Sequence, residues 1–492
     1  MMATSVYVFN PFAEGIIARG KAFTPVKHQA MLAEDLANLP QFLCEPEDIV
    51  LMEKRPSEEF LDSLRKAGFQ PPEFVEVKAG RIDPAAGIWQ RKFDRLRPWA
   101  WAPDSIELFE PLFGRAVGEA RGAGEFFNDG IAQLYSKVWG AGILRKVLAH
   151  HSEGHEISPV SDGVFDQGTD KVSDKVSDKV TDKVTDKVLD KVLDKVRGEV
   201  ADEAEGEHGA WLCSEQEAGV AVGTFKDVIE AIAAIRSRGH HRVVVKEAYG
   251  AAGQNCIRLW EPEILPAQRQ WLAHALEHGQ SLVVEPWLER ALDFSVQLEM
   301  EPGGLKVCGY TGLVNDRKGQ FLANWAEADY AQCLPANVAT LIHAQAQNSG
   351  NLHRLYAEIF ALLGPELRRV GFLGPVSIDA MVYRTPQGYC RLKPVVEINP
   401  RYTMGRVTVE LMKNVCPGSC GRFRLVTRSQ ASKEGFGGLS SYARALRERC
   451  PPQLERGAKI RRGTVCLNDP ERAQVVLATF EVAPALDFST GN

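Results

Sequence analysis

The sequence holds ten cysteines but no Cys-x-x-Cys pair, and Cys416 and Cys420, the closest two, have no His or Cys neighbour to complete a metal set. That scatter excludes a zinc-ribbon pattern and reads as reduced, buried thiols. No run approaches the roughly 18 apolar residues that a membrane-spanning helix needs. The opening MMATSVYVFNPFAEG lacks both a basic leader and a long apolar core, so a cytoplasmic location without membrane contact is expected. An excess of positive charge is missing too. The 58 Lys and Arg face 64 Asp and Glu, a formal charge of −6, which gives no reason to expect a nucleic-acid partner. Walker A spacing is absent, as are Ser-His-Asp and Cys-His signatures. What is there is ordinary globular composition, 45% hydrophobic and 25% charged over 492 residues. At about 150 residues per domain, that suggests roughly three domains.

Residues 1–80 alternate strand and helix patterns, the sign of a small parallel α/β sheet. Ser5–Phe9, Asp48–Met52 and Phe74–Val77 read as strands. Between them, Gln29–Leu39 has Met31, Leu32, Leu36 and Leu39 at helical spacing, and a second helix starts from a Ser57 cap and ends at Gly68. Ligands of such sheets sit at the carboxyl ends of strands, which makes the loop Asn10–Gly15 a candidate site as well as a simple turn. Trp89, Trp99 and Trp101 read as the packing of a connector. Further on, seven Asp-Lys-Val units repeat every four residues over 170–196. On a helix this period drifts about 40° per unit, so no fixed apolar face forms. A solvated insertion is expected, with a partner-binding helix as the alternative.

Three constellations carry chemistry. In the first, the strand Val243–Lys246 ends in a lysine that can hold phosphate oxygens, and Gly250, Ala251, Ala252 and Gly253 let backbone amides approach the same phosphates. The same four residues would serve in an ordinary hairpin loop. In the second, the apolar run Ser281–Leu288 ends in Glu285, Pro286, Trp287 and Leu288, a wall suited to a purine ring. Asp293 follows eight residues after Glu285, where it could accept ribose hydroxyls. The third is the most specific. Val376–Val382 and Leu392–Asn399 read as neighbouring strands, and Glu397, Asn399 and Arg401 share one face of an extended chain. Asp379 on the preceding strand can join them. Two carboxylates and an amide oxygen are hard ligands of the kind Mg²⁺ takes, and an arginine beside them can grip a carboxylate or an acyl phosphate.

Taken in order, the three constellations resemble the ATP-grasp superfamily over about residues 210–420, and the resemblance reaches back to about Ala132. It implies an α/β fold: an N-terminal parallel pre-ATP-grasp domain with its connector (1–125), then a two-lobed ATP-grasp domain. The first lobe spans 126–290 and is interrupted by the insertion at 152–208. The lobe with the metal site spans 291–425, and 426–492 form an extension. By the same resemblance, Lys246 binds the α and β phosphates of ATP and the Gly250–Gly253 loop closes over them. Lys137, after Tyr135-Ser136, matches the family's second phosphate lysine. Glu285 through Leu288 form the adenine hinge and Asp293 meets the ribose. Asp379, Glu397 and Asn399 hold two magnesium ions, Asp379 standing where Glu is commoner, and Arg401 orients the transferred phosphoryl group. The implied activity is ligation of a small-molecule carboxylate to an amine through an acyl phosphate. A regulatory or scaffold nucleotide binder and a kinase-like member are the alternatives. A homodimer is compatible with this reading. Met404-Gly405-Arg406 is expected to face substrate, and the basic run Lys459, Arg461, Arg462 to flank a solvated strand edge.

Overall fold

Short runs of β-branched and aromatic residues at the start of the chain build a five-stranded sheet: β1 (Ser5–Val8), β2 (Ile49–Met52), β3 (Glu73–Lys78), β4 (Arg81–Ile82) and β5 (Arg95–Pro98). Its order is β4-β3-β2-β1-β5. All neighbours are parallel except β3 and β4. The helix Glu58–Lys66 is capped by Ser57, whose hydroxyl accepts the Phe60 amide, and it buries Phe60, Leu61 and Leu64. Gly68 ends it at a φ of 89°, a left-handed conformation that glycine adopts without a Cβ clash. Trp99 packs on Phe9 and Trp101 stacks on Phe126, so the connector's tryptophans do structural work.

The computed structural model describes residues 4–117, 122–152, 211–250, 255–277, 280–316, 321–331, 350–455 and 457–484. The Asp-Lys-Val array, with its expected protein contact, lies outside the described residues, as do Ala251, Ala252 and Gly253.

A second, antiparallel sheet of β6 (Val220–Val222), β7 (Val243–Glu247), β8 (Cys256–Leu259) and β9 (Leu282–Pro286) runs in the order β6-β9-β7-β8. Helices Phe225–Ser237 and Pro266–Glu277 lay Val228, Ile232, Ile235 and Leu272 into one core with Val243, Val245, Leu282 and Val284.

The third sheet is wholly antiparallel. It contains β10 (Glu289–Glu301), β11 (Gly304–Asn315), β12 (Phe321–Ala326), β13 (Gly374–Arg384), β14 (Cys390–Asn399), β15 (Ser419–Thr427), β16 (Gln453–Leu454), β17 (Ile460–Cys466) and β18 (Val476–Pro484). Their order is β14-β13-β10-β11-β12-β15-β18-β17-β16. Alternation gives β10 two unlike faces. Phe294, Val296, Leu298 and Met300 join a core with Leu355, Ile359 and Leu363 of helix Gly350–Arg369. Each such side chain contributes roughly 1.5–3 kcal/mol by leaving water. On the other face Ser295, Gln297 and Glu299 are equally buried but polar, and so require partners.

One expectation is corrected here. β17 is no sheet edge: it lies between β16 and β18 with Val465 buried, although Arg461 and Arg462 stay exposed. Met404-Gly405-Arg406 begins the helix Met404–Met412, where the Arg406 guanidinium is engaged by Glu299 and Glu410 and lines a cavity with Arg97, Tyr402 and Lys413.

Candidate functional site

The four-stranded sheet and the end of the large sheet at β14 meet around one cavity. Lys137, Lys246, Glu285, Lys393 and Glu397 line it, with Ala141, Gly219, Val283 and Val395 among the small and apolar residues between them. Lys137 opens the helix Lys137–Ser152, and its amide donates to Ala248 just after β7. That anchor aims its side chain at the Glu397 carboxylate and the Gly250 carbonyl, joining two of the three sequence constellations through one ammonium. Lys246 on β7 pairs with Glu285 on β9, its neighbour in the sheet.

Lys393 escaped the sequence reading. It is 2% exposed, donates to Glu285 at 2.8 Å and to the Glu217 carbonyl at 3.1 Å, and so makes Glu285 the centre of a two-lysine cluster. Burial pushes the Glu285 carboxyl up, but the charges of Lys246 and Lys393 outweigh it and hold the group well below the usual range. Glu397 follows the same logic: burial raises it, and Lys137 more than compensates. A lysine amid the apolar run LKPVV was the available signal for Lys393.

Asp379 and Glu397 stand directly opposite each other across β13 and β14, and Ser377 stands opposite Asn399. A hairpin through Gly388, at a φ of 89°, joins the two strands, and a bulge between Asp379 and Met381 shifts the pairing so that these residues face each other. The Asp379 carboxyl is pushed up to about 6, first by burial and then by the charge of Glu397. Asn399 Nδ2 donates to Asp379 Oδ2 at 3.2 Å, and Arg401 donates to Asn399 Oδ1 at 3.1 Å. Arg401 also donates to Glu14 Oε1 at 2.6 Å. Glu14 belongs to the segment Asn10–Gly15 expected to be a loop after β1, and it stands in the first turn of the helix Ala13–Arg19. Its second carboxylate oxygen and the Tyr135 hydroxyl are buried without a hydrogen-bond partner among the described residues.

The hinge residues are less open. Pro286 and Leu288 are buried. The Trp287 amide donates to the Arg242 carbonyl, and the Trp287 ring carries the guanidinium groups of Arg258 and Arg290 at 5.2 and 5.7 Å. Asp293 accepts from Arg290 at 3.1 Å and from Asn315 at 2.9 Å. Gly250 is buried beside Lys137.

No group of three or more His, Cys, Asp or Glu side chains among the described residues is arranged to hold a metal. The donor set here is smaller and mixed: two facing carboxylates and an amide. A hard divalent cation suits it, because Asp379 and Glu397 raise each other's cost of ionisation and a cation between them removes that cost.

No protein-family profile matches the chain. No curated protein matches it either. Among solved structures it is similar to N5-carboxyaminoimidazole synthetase from Staphylococcus aureus complexed with ADP, at 11% identity and a TM-score of 0.42 over 99% of this chain and 94% of that one. It is similar to biotin carboxylase from Campylobacter jejuni in an ATP complex, at 10% identity and a TM-score of 0.41 over 98% and 87%. A third is the biotin carboxylase domain dimer of Hydrogenobacter thermophilus 2-oxoglutarate carboxylase with MgADP, ADP and bicarbonate, at 10% and 0.41 over 99% and 88%. The architecture itself is a parallel α/β sheet followed by a small antiparallel sheet and a large one, with a charged cavity between the last two.

Proposed function

We propose that this chain is an ATP-dependent ligase that joins a small-molecule carboxylate to an amine through an acyl phosphate, releasing ADP and phosphate. The observation that carries the reading is the convergence of Lys137, Lys246 and Lys393 from three separate segments on Glu285 and Glu397 within one cavity, with Glu397 facing Asp379 across the strand pair and Asp379 hydrogen-bonded onward to Asn399 and, through it, Arg401.

In this reading Lys137 and Lys246 exchange their carboxylate partners for phosphate oxygens, as flexible point charges can. The hinge from Glu285 to Leu288 walls the adenine, and Asp293 meets the ribose. A substrate carboxylate held by Arg401 attacks the γ-phosphorus as the bond to ADP breaks. The amine then adds to the acyl carbon, phosphate leaves, and the amine's proton passes to solvent. The protein's part is to position the in-line oxygens and to neutralise charge, which needs no nucleophilic side chain. Magnesium held by Asp379, Glu397 and Asn399 would supply charge neutralisation at the phosphates.

Trapping tests the proposal. The protein is incubated with ATP, Mg²⁺, a small-molecule extract and hydroxylamine, and hydroxamates and ADP are read by mass spectrometry. A new hydroxamate that disappears in Glu397→Gln is the expected result, and its mass identifies the acid. ADP without hydroxamate would favour phosphorylation alone. ATP binding with neither product would favour a regulatory nucleotide binder.

A further inference from the structure

The buried polar face of β10 ends on the Asp379 carboxylate through three hydrogen bonds laid head to tail. Thr403 Oγ1 donates to Gln297 Oε1 at 2.9 Å, Gln297 Nε2 donates to Ser295 Oγ at 2.8 Å, and Ser295 Oγ donates to Asp379 Oδ1 at 2.8 Å. Every donor points toward the carboxylate, an order in which each bond polarises the next. The Thr403 hydroxyl sends its proton forward because its oxygen already accepts the Arg406 amide as the cap of helix Met404–Met412. Ser295 is 3% exposed and Gln297 1%, so water does not compete.

The fit around the chain is close. A Cβ at Gly405 would meet Gln297 Nε2 at 2.4 Å and Thr311 Oγ1 at 3.1 Å, so glycine there lets the helix start settle onto the amide. Thr403 and Gly405 thus both meet the Gln297 amide at the start of the helix. Asp379 Oδ2 is held separately by Asn399. With one donor on each oxygen, rotation of the carboxyl group about its bond to Cβ breaks at least one hydrogen bond.

We propose that Ser295, Gln297 and Thr403 are positioning residues that fix the Asp379 carboxylate in the orientation in which it takes a divalent cation together with Glu397. The proposal rests on the reading of Asp379 as a cation ligand given above. Outer partners of metal-binding carboxylates typically carry about 10–100-fold in metal affinity, whereas polar groups that only satisfy a core carry none.

The test uses the full chain with ADP, and Mn²⁺ as the probe, free ion being counted by electron paramagnetic resonance. Ser295→Ala, Gln297→Leu and Thr403→Val are expected to weaken Mn²⁺ binding about 10-fold or more. Their affinity for ADP without metal stays at the wild-type level, and Thr403→Ser, which keeps the hydroxyl, restores Mn²⁺ binding. Wild-type Mn²⁺ affinity in Ser295→Ala and Gln297→Leu, alongside its loss in Asp379→Asn, would overturn the relay and leave the cation site standing. Unchanged affinity in Asp379→Asn would overturn the cation reading itself, and the relay with it. If Gln297→Leu fails to fold, Ser295→Ala, which removes a single oxygen, decides between the same outcomes.

Discussion

At the residue scale, Asp379 gives the site its pH dependence. Its folded value of about 6 lies above the roughly 3.9 of an unfolded aspartate. Between those values the unfolded chain is ionised while the folded one keeps its proton. The group therefore adds stability that is full below about pH 4 and is lost as pH rises through 6. In cation-free protein, Asp379→Asn is expected to gain on the wild type by on the order of 2 kcal/mol between pH 4 and pH 7. Denaturant midpoints at the two pH values, taken in EDTA, measure this, and a pH-independent difference would contradict it.

The residue scale is also where legibility in the sequence divides. Glu397, Asn399 and Arg401 could be read because alternation along one strand puts them on one face. Glu14 could not, since its partner Arg401 is 387 positions away and nothing local marks the pair. Lys393 was hidden for a different reason: a lone lysine in a strand usually faces water, and it is β9, a strand of the other sheet, that supplies the carboxylate that lets it stay buried.

At the scale of elements, the hairpin of β13 and β14 was legible because both runs are apolar and Pro386-Gln387-Gly388 interrupts them. β5 was not, since Arg95–Pro98 alternates over only four residues, has no β-branched residue and ends in proline, and it pairs as a strand along the edge that β1 offers. The contact between the N-terminal sheet and the large sheet was equally invisible. Arg97 on β5 pairs with Glu299 on β10 at 2.6 Å, and Glu299 pairs with Arg406 at 2.9 Å, all three largely buried. Removing the shared carboxylate charge leaves two guanidinium groups short of compensation. Glu299→Gln is expected to cost roughly 3 kcal/mol in urea unfolding. A loss below about 0.5 kcal/mol would mean that the clamp behaves as an exposed pair.

At the scale of the whole molecule, the N-terminal parallel sheet followed from the order of strand and helix patterns, whereas the two sheets after it were not legible as separate sheets, because their pairings join strands far apart in sequence. The four-residue period of 170–196 offers no fixed apolar face for packing against the fold. Replacing that stretch with a short Gly-Ser linker is expected to leave ADP affinity and the thermal midpoint unchanged, by calorimetry of both. A fall in either would tie the array to the fold.

The return of the chain through β17 and β18 has a temporal consequence. The Asp35 carboxylate accepts the backbone amides of Gln474, Val475 and Val476, and Asn38 donates to the Leu467 carbonyl. The segment around Asp35 is therefore completed by one 439 to 441 positions later. Until β18 emerges, β15 is paired only with β12, over Gly421–Arg424, and its other edge is open. Contacts so distant in sequence form late and slowly. Between the synthesis of β15 and that of β18 a nascent chain thus carries an open strand edge, and chaperone demand is concentrated in that interval.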